Sequence, residues 1–321
     1  MEPQVPDVEY REIRRGDLAS FDRVIVQGMG NLERSTGLDE LALALFQSLH
    51  NPGTWTVLRI LRWLGRAPIK VFVGVDNGRV LGTASVIMLE KSGYVAAVAT
   101  DSQARRRGIA TQLLQKIHVE VQRESKKWVA LDVESENETA IGLYKKLGYV
   151  ETMVYGWYVG PLPGAVVPGN AMATPVPGSQ MSEVADWVGR NLPTSIADPL
   201  PPTKKRLSYV EMVIRGPRTP IKTWRLAPSG QTQAVARACY FDRIKTGFIL
   251  PLAFDSVPVS EPLTSLFAPV IEWIRSSGGT RVVVTFPHPS RVLEQTMETL
   301  RIPKVVSTIL MVRPTQDKPS A

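Results

Sequence analysis

The chain has a single cysteine, Cys239, among 321 residues. That excludes an internal disulfide and fits a reducing, cytoplasmic compartment. No catalytic motif surrounds Cys239, so it reads as a buried core thiol, not a nucleophile. No run of about 18 apolar residues occurs, so no membrane span is expected. The opening MEPQVPDVEY carries acidic residues and no apolar core, which does not fit a secretory signal. Histidine is scarce. His50, His118 and His288 stand apart from one another and from the cysteine, so no metal site is expected and each reads as surface or core packing.

Apolar and charged residues occur at ordinary globular levels, 44% and 21%, and the length suits two domains. The formal net charge is +8, nearly all of it after residue 165. A basic half can meet an acidic partner. Apart from Lys204-Lys205-Arg206, however, the basic residues are scattered and no aromatic platform is interleaved with them. A solvated surface is therefore expected, and nucleic acid is not an expected partner.

The most informative segment is Arg105-Arg106-Arg107-Gly108-Ile109-Ala110. Tyr94 to Thr100 before it is small and β-branched and reads as a buried strand. After it, Ile109, Leu113, Leu114, Ile117 and Val121 recur at helical spacing. A strand thus passes through a tight turn into a helix that begins with three arginines. Positive charge at a helix N-terminus opposes the macrodipole. The conflict disappears if an anion sits there, held by free helix N–H groups with a glycine for close approach.

A second motif follows another expected strand, Trp128 to Glu134. It reads Asn137-x-x-Ala140-x-x-Leu143-Tyr144-x-x-Leu147-Gly148-Tyr149. Asn137 suits an N-cap. Ala140, Leu143, Tyr144 and Leu147 share one helix face, and Gly148 falls where a left-handed C-terminal residue belongs. A capped core helix with a buried tyrosine accounts for these residues without any chemistry.

In this order and spacing the two motifs resemble the signatures of the GCN5-related N-acetyltransferases, over roughly residues 5–160. The resemblance implies that Arg105, Arg106, Arg107, Gly108, Ile109, Ala110 and Thr111 bind the pyrophosphate of acetyl-CoA, with Asn137 also on the cofactor side. It implies that the two central strands splay apart, with Val98, Ala99 and Thr100 on one lip of the gap and Leu131 to Glu134 on the other. Backbone groups left unpaired there would hold the pantetheine arm and polarise the thioester carbonyl. It places the Tyr144 hydroxyl near the sulfur, as the acid that protonates the departing thiolate. The amine would attack directly in a ternary complex, with no acyl-enzyme. Asp132 or Glu134, or water alone, would take its proton. Asp132 stands where some N-terminal acetyltransferases carry a glutamate, so a relaying water is expected. The acceptor is a protein or peptide N-terminus or a small-molecule amine. The competing reading is a non-catalytic sensor of CoA or acyl-CoA, or a partner-binding protein.

The second half repeats the first. Trp128 to Val159 aligns without gaps on Arg281 to Val312 at an offset of 153. Each stretch reads strand, capped helix, strand. Pro177-Gly178-Ser179 before Met181 to Leu192 repeats Ile13 to Asp17 before the first helix. Gly247 to Phe254 reads as a strand and Glu261 to Arg275 as an amphipathic helix. The chemistry is missing from this copy: Asn137 becomes Ser290, Tyr144 becomes Met297 and Asp132 becomes Thr285. The helix start Ser260-Glu261-Pro262 brings its own carboxylate, which would repel a pyrophosphate. The expected architecture is thus two tandem α/β domains of acetyltransferase type, each a mixed, mostly antiparallel twisted sheet flanked by helices. The expected division is a catalytic domain over 1–160, a linker over 161–178, a degenerate domain over 179–315 and a tail over 316–321. On the acceptor side, Trp55 to Leu64 is read as a packed helix, an apolar lid or an interfacial helix. Tyr155, Trp157 and Tyr158 lie on the last strand of the first domain, one face in the core and the other toward the acceptor.

Overall fold

The computed structural model describes residues 8–40, 47, 50–54, 56, 69–167, 172–191, 219–253 and 263–315. The readings at Trp55 to Leu64 (all but Thr56), at Lys204-Lys205-Arg206, at Ser260-Glu261-Pro262 and at 316–321 lie outside the described residues. No helix among the described residues is long and apolar enough to cross a membrane.

Two compact units form, and they do not follow the two halves of the chain. The first takes Met1–Thr152 together with Ile309–Ala321, and the second takes Met153–Thr308.

In the first unit a short strand β1 (Glu9–Glu12) leads through a 3-10 turn into α1 (Leu18–Gly28) and α2 (Asn31–Thr36). The sheet continues with β2 (Ile69–Asp76), β3 (Arg79–Met88) and β4 (Ser92–Thr100). Then come α3 (Ile109–Arg123), β5 (Trp128–Glu134) and α4 (Glu138–Lys146). β1 to β4 pair antiparallel in sequence order, and β4 pairs with β5 in parallel. Leu18, Phe21, Val24 and Ile25 of α1 pack on Val71, Val73, Val75 and Val80 of the sheet. The five apolar residues expected on one face of α3 are all buried. At roughly 1.5–3 kcal/mol for each large side chain removed from water, that face anchors the helix.

The second unit holds β6 (Val150–Pro161) from Met153 on, β7 (Thr174–Pro175), α5 (Met181–Asn191), β8 (Ile221–Leu226), β9 (Ala234–Phe241) and β10 (Thr246–Ala253). α6 (Thr264–Ser276), β11 (Arg281–His288), α7 (Arg291–Leu300) and the start of β12 (Lys304–Pro314) complete it. Its core is formed by Leu266, Phe267, Val270, Ile271 and Ile274 of α6, packed with residues of α7 and of β8 to β11. Cys239 is buried in β9. The helix expected from Glu261 begins at Thr264, and the strand expected at 247–254 runs Thr246–Ala253.

The repeat is visible element by element: β5, α4 and β6 in the first copy match β11, α7 and β12 in the second. The unit boundaries differ from the sequence division because the final strands of the two copies change places. β6 pairs antiparallel with β11 from Val154↔His288 to Pro161↔Arg281. The residues of β12 from Ile309 onward belong to the first unit. There Thr315 donates from its backbone N–H to Lys127 O at 3.1 Å, beside the start of β5. Tyr155, Trp157 and Tyr158 therefore sit in the second unit, all three buried. The stretch expected as a linker is also built into that unit. Leu162 N bonds Thr280 O at 2.8 Å, and β7 pairs with β8.

Candidate active site

β4 and β5 lie in register for four residues, Ser92↔Trp128 to Val95↔Leu131, and no further. Beyond that point the strands continue to Thr100 and Glu134 as the two sides of an open wedge. The divergence has a local cause. Between the pairs Ser85↔Ala96 and Thr83↔Ala99, β4 carries an extra residue, and Ala97 stands at φ +51°. Such a bulge bends its strand and raises the local twist. Past the last pair, Val98, Ala99 and Thr100 lie on one side of the wedge, and Asp132 to Glu134 on the other. The second unit repeats the wedge: β10 and β11 pair in parallel only from Thr246↔Arg281 to Ile249↔Val284.

The α1–α2 connection closes against both lips. A Cβ on Gly28 would lie 2.3 Å from Ala99 Cβ, and one on Gly30 would lie 2.5 Å from Glu134 Oε1. At Gly28 only glycine permits this approach to the Ala99 backbone and Cβ, and at Gly30 a side chain would displace the Glu134 carboxylate. Glu134 Oε1 accepts the Leu32 N–H at 2.6 Å, and Glu33 Oε2 accepts the Gly30 N–H at 2.9 Å. Burial pushes the Glu33 carboxyl up against the pull of its own N–H and that of Gly30, and the charges of Glu134 and Asp39 add to the rise. Asp132 Oδ2 accepts from the Tyr94 hydroxyl at 3.1 Å. The two carboxylates read as rival bases thus differ in setting: Glu134 is tied to a backbone amide and Asp132 to a phenol.

β4 runs on into the arginine turn, which is anchored by Asp101. This side chain is 2% exposed. It accepts from Gln103 N at 3.0 Å and from Arg79 Nη2 at 2.8 Å, with Arg23 Nη2 at 3.6 Å. The Arg79 bond and the Gln103 amide hold its carboxyl below the usual range. The turn then swings through Arg106 at φ +64° and Gly108 at φ +78° into α3. No side chain caps that helix, so its first N–H groups face out of the turn. Arg105, Arg106 and Arg107 are exposed. Arg107 Nη2 lies 3.8 Å from Asp76, while Arg105 and Arg106 have no ion pair among the described residues. A pocket of about 410 Å³, lined by Arg79, Asp101, Gln103 and Arg107 among others, opens beside the turn. Uncapped amides together with free guanidinium groups suit a phosphate-bearing ligand. Ile109 is buried, and Ala110 and Thr111 are half-buried.

Asn137 caps α4 as its type predicts, accepting the Ala140 N–H at 3.1 Å. Gly148 stands at φ +83° just past the helix. Tyr144 is 6% exposed, and its hydroxyl has no hydrogen-bond partner among the described residues. Burial pushes its pKa up to about 12, so the phenol keeps its proton through the neutral range. The sequence reading missed what lies behind Tyr144. The Tyr149 ring sits tilted against it, centroids 5.8 Å apart. His118, read as isolated packing, is 2.8 Å from Tyr149 Oη through Nε2 and 2.5 Å from Arg313 Nη1 through Nδ1. Nothing local in the sequence joins these three residues. The bulge at Ala97 leaves no local mark either, whereas the Gly28-x-Gly30 pair between helical stretches is a legible signal for close approach.

Residues 37–149 match the Acetyltransferase (GNAT) family. Over 73 residues the chain is 44% identical to an N-alpha-acetyltransferase of Sulfurisphaera tokodaii, a stretch covering 22% of this chain and 42% of that protein. The fold as a whole resembles a GCN5-related N-acetyltransferase from Sphaerobacter thermophilus (TM-score 0.64, 15% identity, 100% of this chain and 99% of that one). It also resembles a tandem GNAT protein from the clavulanic acid biosynthesis pathway (TM-score 0.59, 11% identity, 97% and 100% covered). Residues 37–149, which run through the splayed strands and the uncapped turn, thus match the Acetyltransferase (GNAT) family, and the doubled α/β fold is the one seen in solved GCN5-related and tandem GNAT proteins.

Proposed function

We propose that the first unit transfers an acetyl group from acetyl-CoA to a primary amine. The observation that carries this reading is the uncapped, arginine-bearing turn at the end of a splayed strand. In this reading the backbone N–H groups from Gly108 to Thr111 and the Arg105, Arg106 and Arg107 side chains hold the diphosphate. The lips at Val98–Thr100 and Asp132–Glu134 admit the thioester, and Asn137 lies on the cofactor side. The amine lone pair adds to the thioester carbonyl, and the tetrahedral species collapses with loss of the C–S bond. Tyr144 gives its proton to the thiolate, and Asp132 or Glu134, directly or through water, accepts the proton of the amine.

A polypeptide N-terminus is the favoured acceptor, supported by the Asp132-to-Tyr144 spacing and by the relative that bears the name N-alpha-acetyltransferase. In the second unit, the residues aligned with Tyr144 and Asp132 are Met297 and Thr285, only 1% and 2% exposed. That unit is read as a degenerate domain that binds no CoA.

The test is thiol release from acetyl-CoA with a panel of free-N-terminus peptides and small amines, with N-blocked peptides as controls. Amine-dependent release with one CoA bound per chain supports the reading. Tight CoA binding with no turnover on any amine would replace it with an acyl-CoA sensor. Absence of CoA binding would remove it.

A further inference from the structure

We infer that Arg313, carried into the first unit by the last strand, is a positioning residue for Tyr144, acting through His118 and Tyr149. This rests on the reading of Tyr144 as the proton donor. A guanidinium keeps its proton and has no lone pair, so its 2.5 Å approach to His118 Nδ1 requires the lone pair to be on that nitrogen. The proton is then on Nε2, which donates to Tyr149 Oη at 2.8 Å. The donor order runs Arg313 to His118 to Tyr149 with no ambiguity of tautomer. Burial, and then the Arg313 charge, hold the imidazole pKa down to about 4, so it stays neutral near pH 7 and the order persists.

Tyr149 is 2% exposed and pinned at both ends: its hydroxyl by His118 and its backbone N–H by Tyr144 O at 3.0 Å. Its ring is the wall on which Tyr144 rests, tilted at 60°. The Tyr144 hydroxyl has no described partner of its own, so this wall sets where it points. At the shared offset, Arg313 corresponds to Gly160, which has no side chain to offer. The exchange of final strands therefore supplies an arginine that the first copy lacks, and the second half of the chain gains a part in the chemistry of the first unit.

The experiment uses full-length Arg313→Met, Arg313→Lys, His118→Leu and His118→Gln. Glutamine keeps an acceptor for Arg313 and a donor for Tyr149; leucine keeps neither. In Arg313→Met, the histidine ¹⁵N spectrum should lose the pure Nε2–H signature of His118, and the Tyr144 ring resonances should shift. Turnover should fall about tenfold while CoA affinity stays within about twofold. Arg313→Lys and His118→Gln should recover most of the loss, and His118→Leu should not. Unmoved Tyr144 resonances in both Arg313→Met and His118→Leu would overturn the inference. So would a loss of CoA affinity equal to the loss of turnover that the conservative variants do not recover. Should the wild-type protein transfer no acetyl group, the ring resonances still decide the positioning claim, which separates its failure from failure of the enzyme reading.

Discussion

Gly108 offers the sharpest test of the anion site, because charge and bulk can be varied separately there. Its φ of +78° lies in the left-handed region, and a Cβ at this position would meet no heavy atom within 4 Å. A side chain therefore costs backbone strain, about 1 kcal/mol, but no collision with the protein. Asparagine and aspartate are nearly isosteric and both tolerate this conformation. The pair Gly108→Asn and Gly108→Asp thus isolates a single negative charge. Two unit charges about 4 Å apart interact by roughly 1 kcal/mol in water and roughly 4 kcal/mol near a protein surface. Against a doubly charged diphosphate at this exposed turn, about 2 kcal/mol is a conservative difference, or about a 30-fold weaker Kd for the aspartate variant. Calorimetric titration with CoA at low and high salt would measure it, and the gap should narrow as salt screens the repulsion. Equal CoA affinity of the two variants at low salt would refute the placement of the diphosphate at this turn.

Tyr144→Phe should lower turnover by at least about tenfold with CoA affinity nearly unchanged. Since the hydroxyl has no described partner, chemical denaturation should show a stability change under about 0.5 kcal/mol; a larger loss would mean a structural role. His118 makes stability depend on acid. Its folded pKa, about 4, lies below the usual 6.5. Between these values the unfolded chain binds a proton that the folded chain does not. Stability contributed by the neutral ring is then complete above about pH 6.5 and lost as pH falls toward 4, by at most about 3 kcal/mol. Urea midpoints measured across this range should fall less steeply in His118→Gln than in the wild type.

The local signals were legible in the sequence because they are local. The apolar spacing of Ile109 to Val121 specified α3, the side chain of Asn137 capped α4, and Gly148 ended it, each through contacts within a few residues. The arginine turn declared itself through a conflict with the helix dipole that any reader of charges can see. The offset between the halves announced the doubled architecture. Where each final strand pairs could not be read this way. β6 and β12 are aligned copies with the same alternation, so either satisfies either sheet edge by pattern, and only long-range pairing chooses between them. That choice brought Arg313 to His118 and Tyr149, residues far apart in sequence with no shared motif. The wedge between β4 and β5 needed a bulge at an ordinary alanine, and the closure at Gly28 and Gly30 needed both lips in place. The sequence by itself determined which helices and turns form, because their energies are settled between neighbours. The tertiary structure alone decided which distant side chains share a buried hydrogen bond, because that depends on how strands from the two halves are partnered.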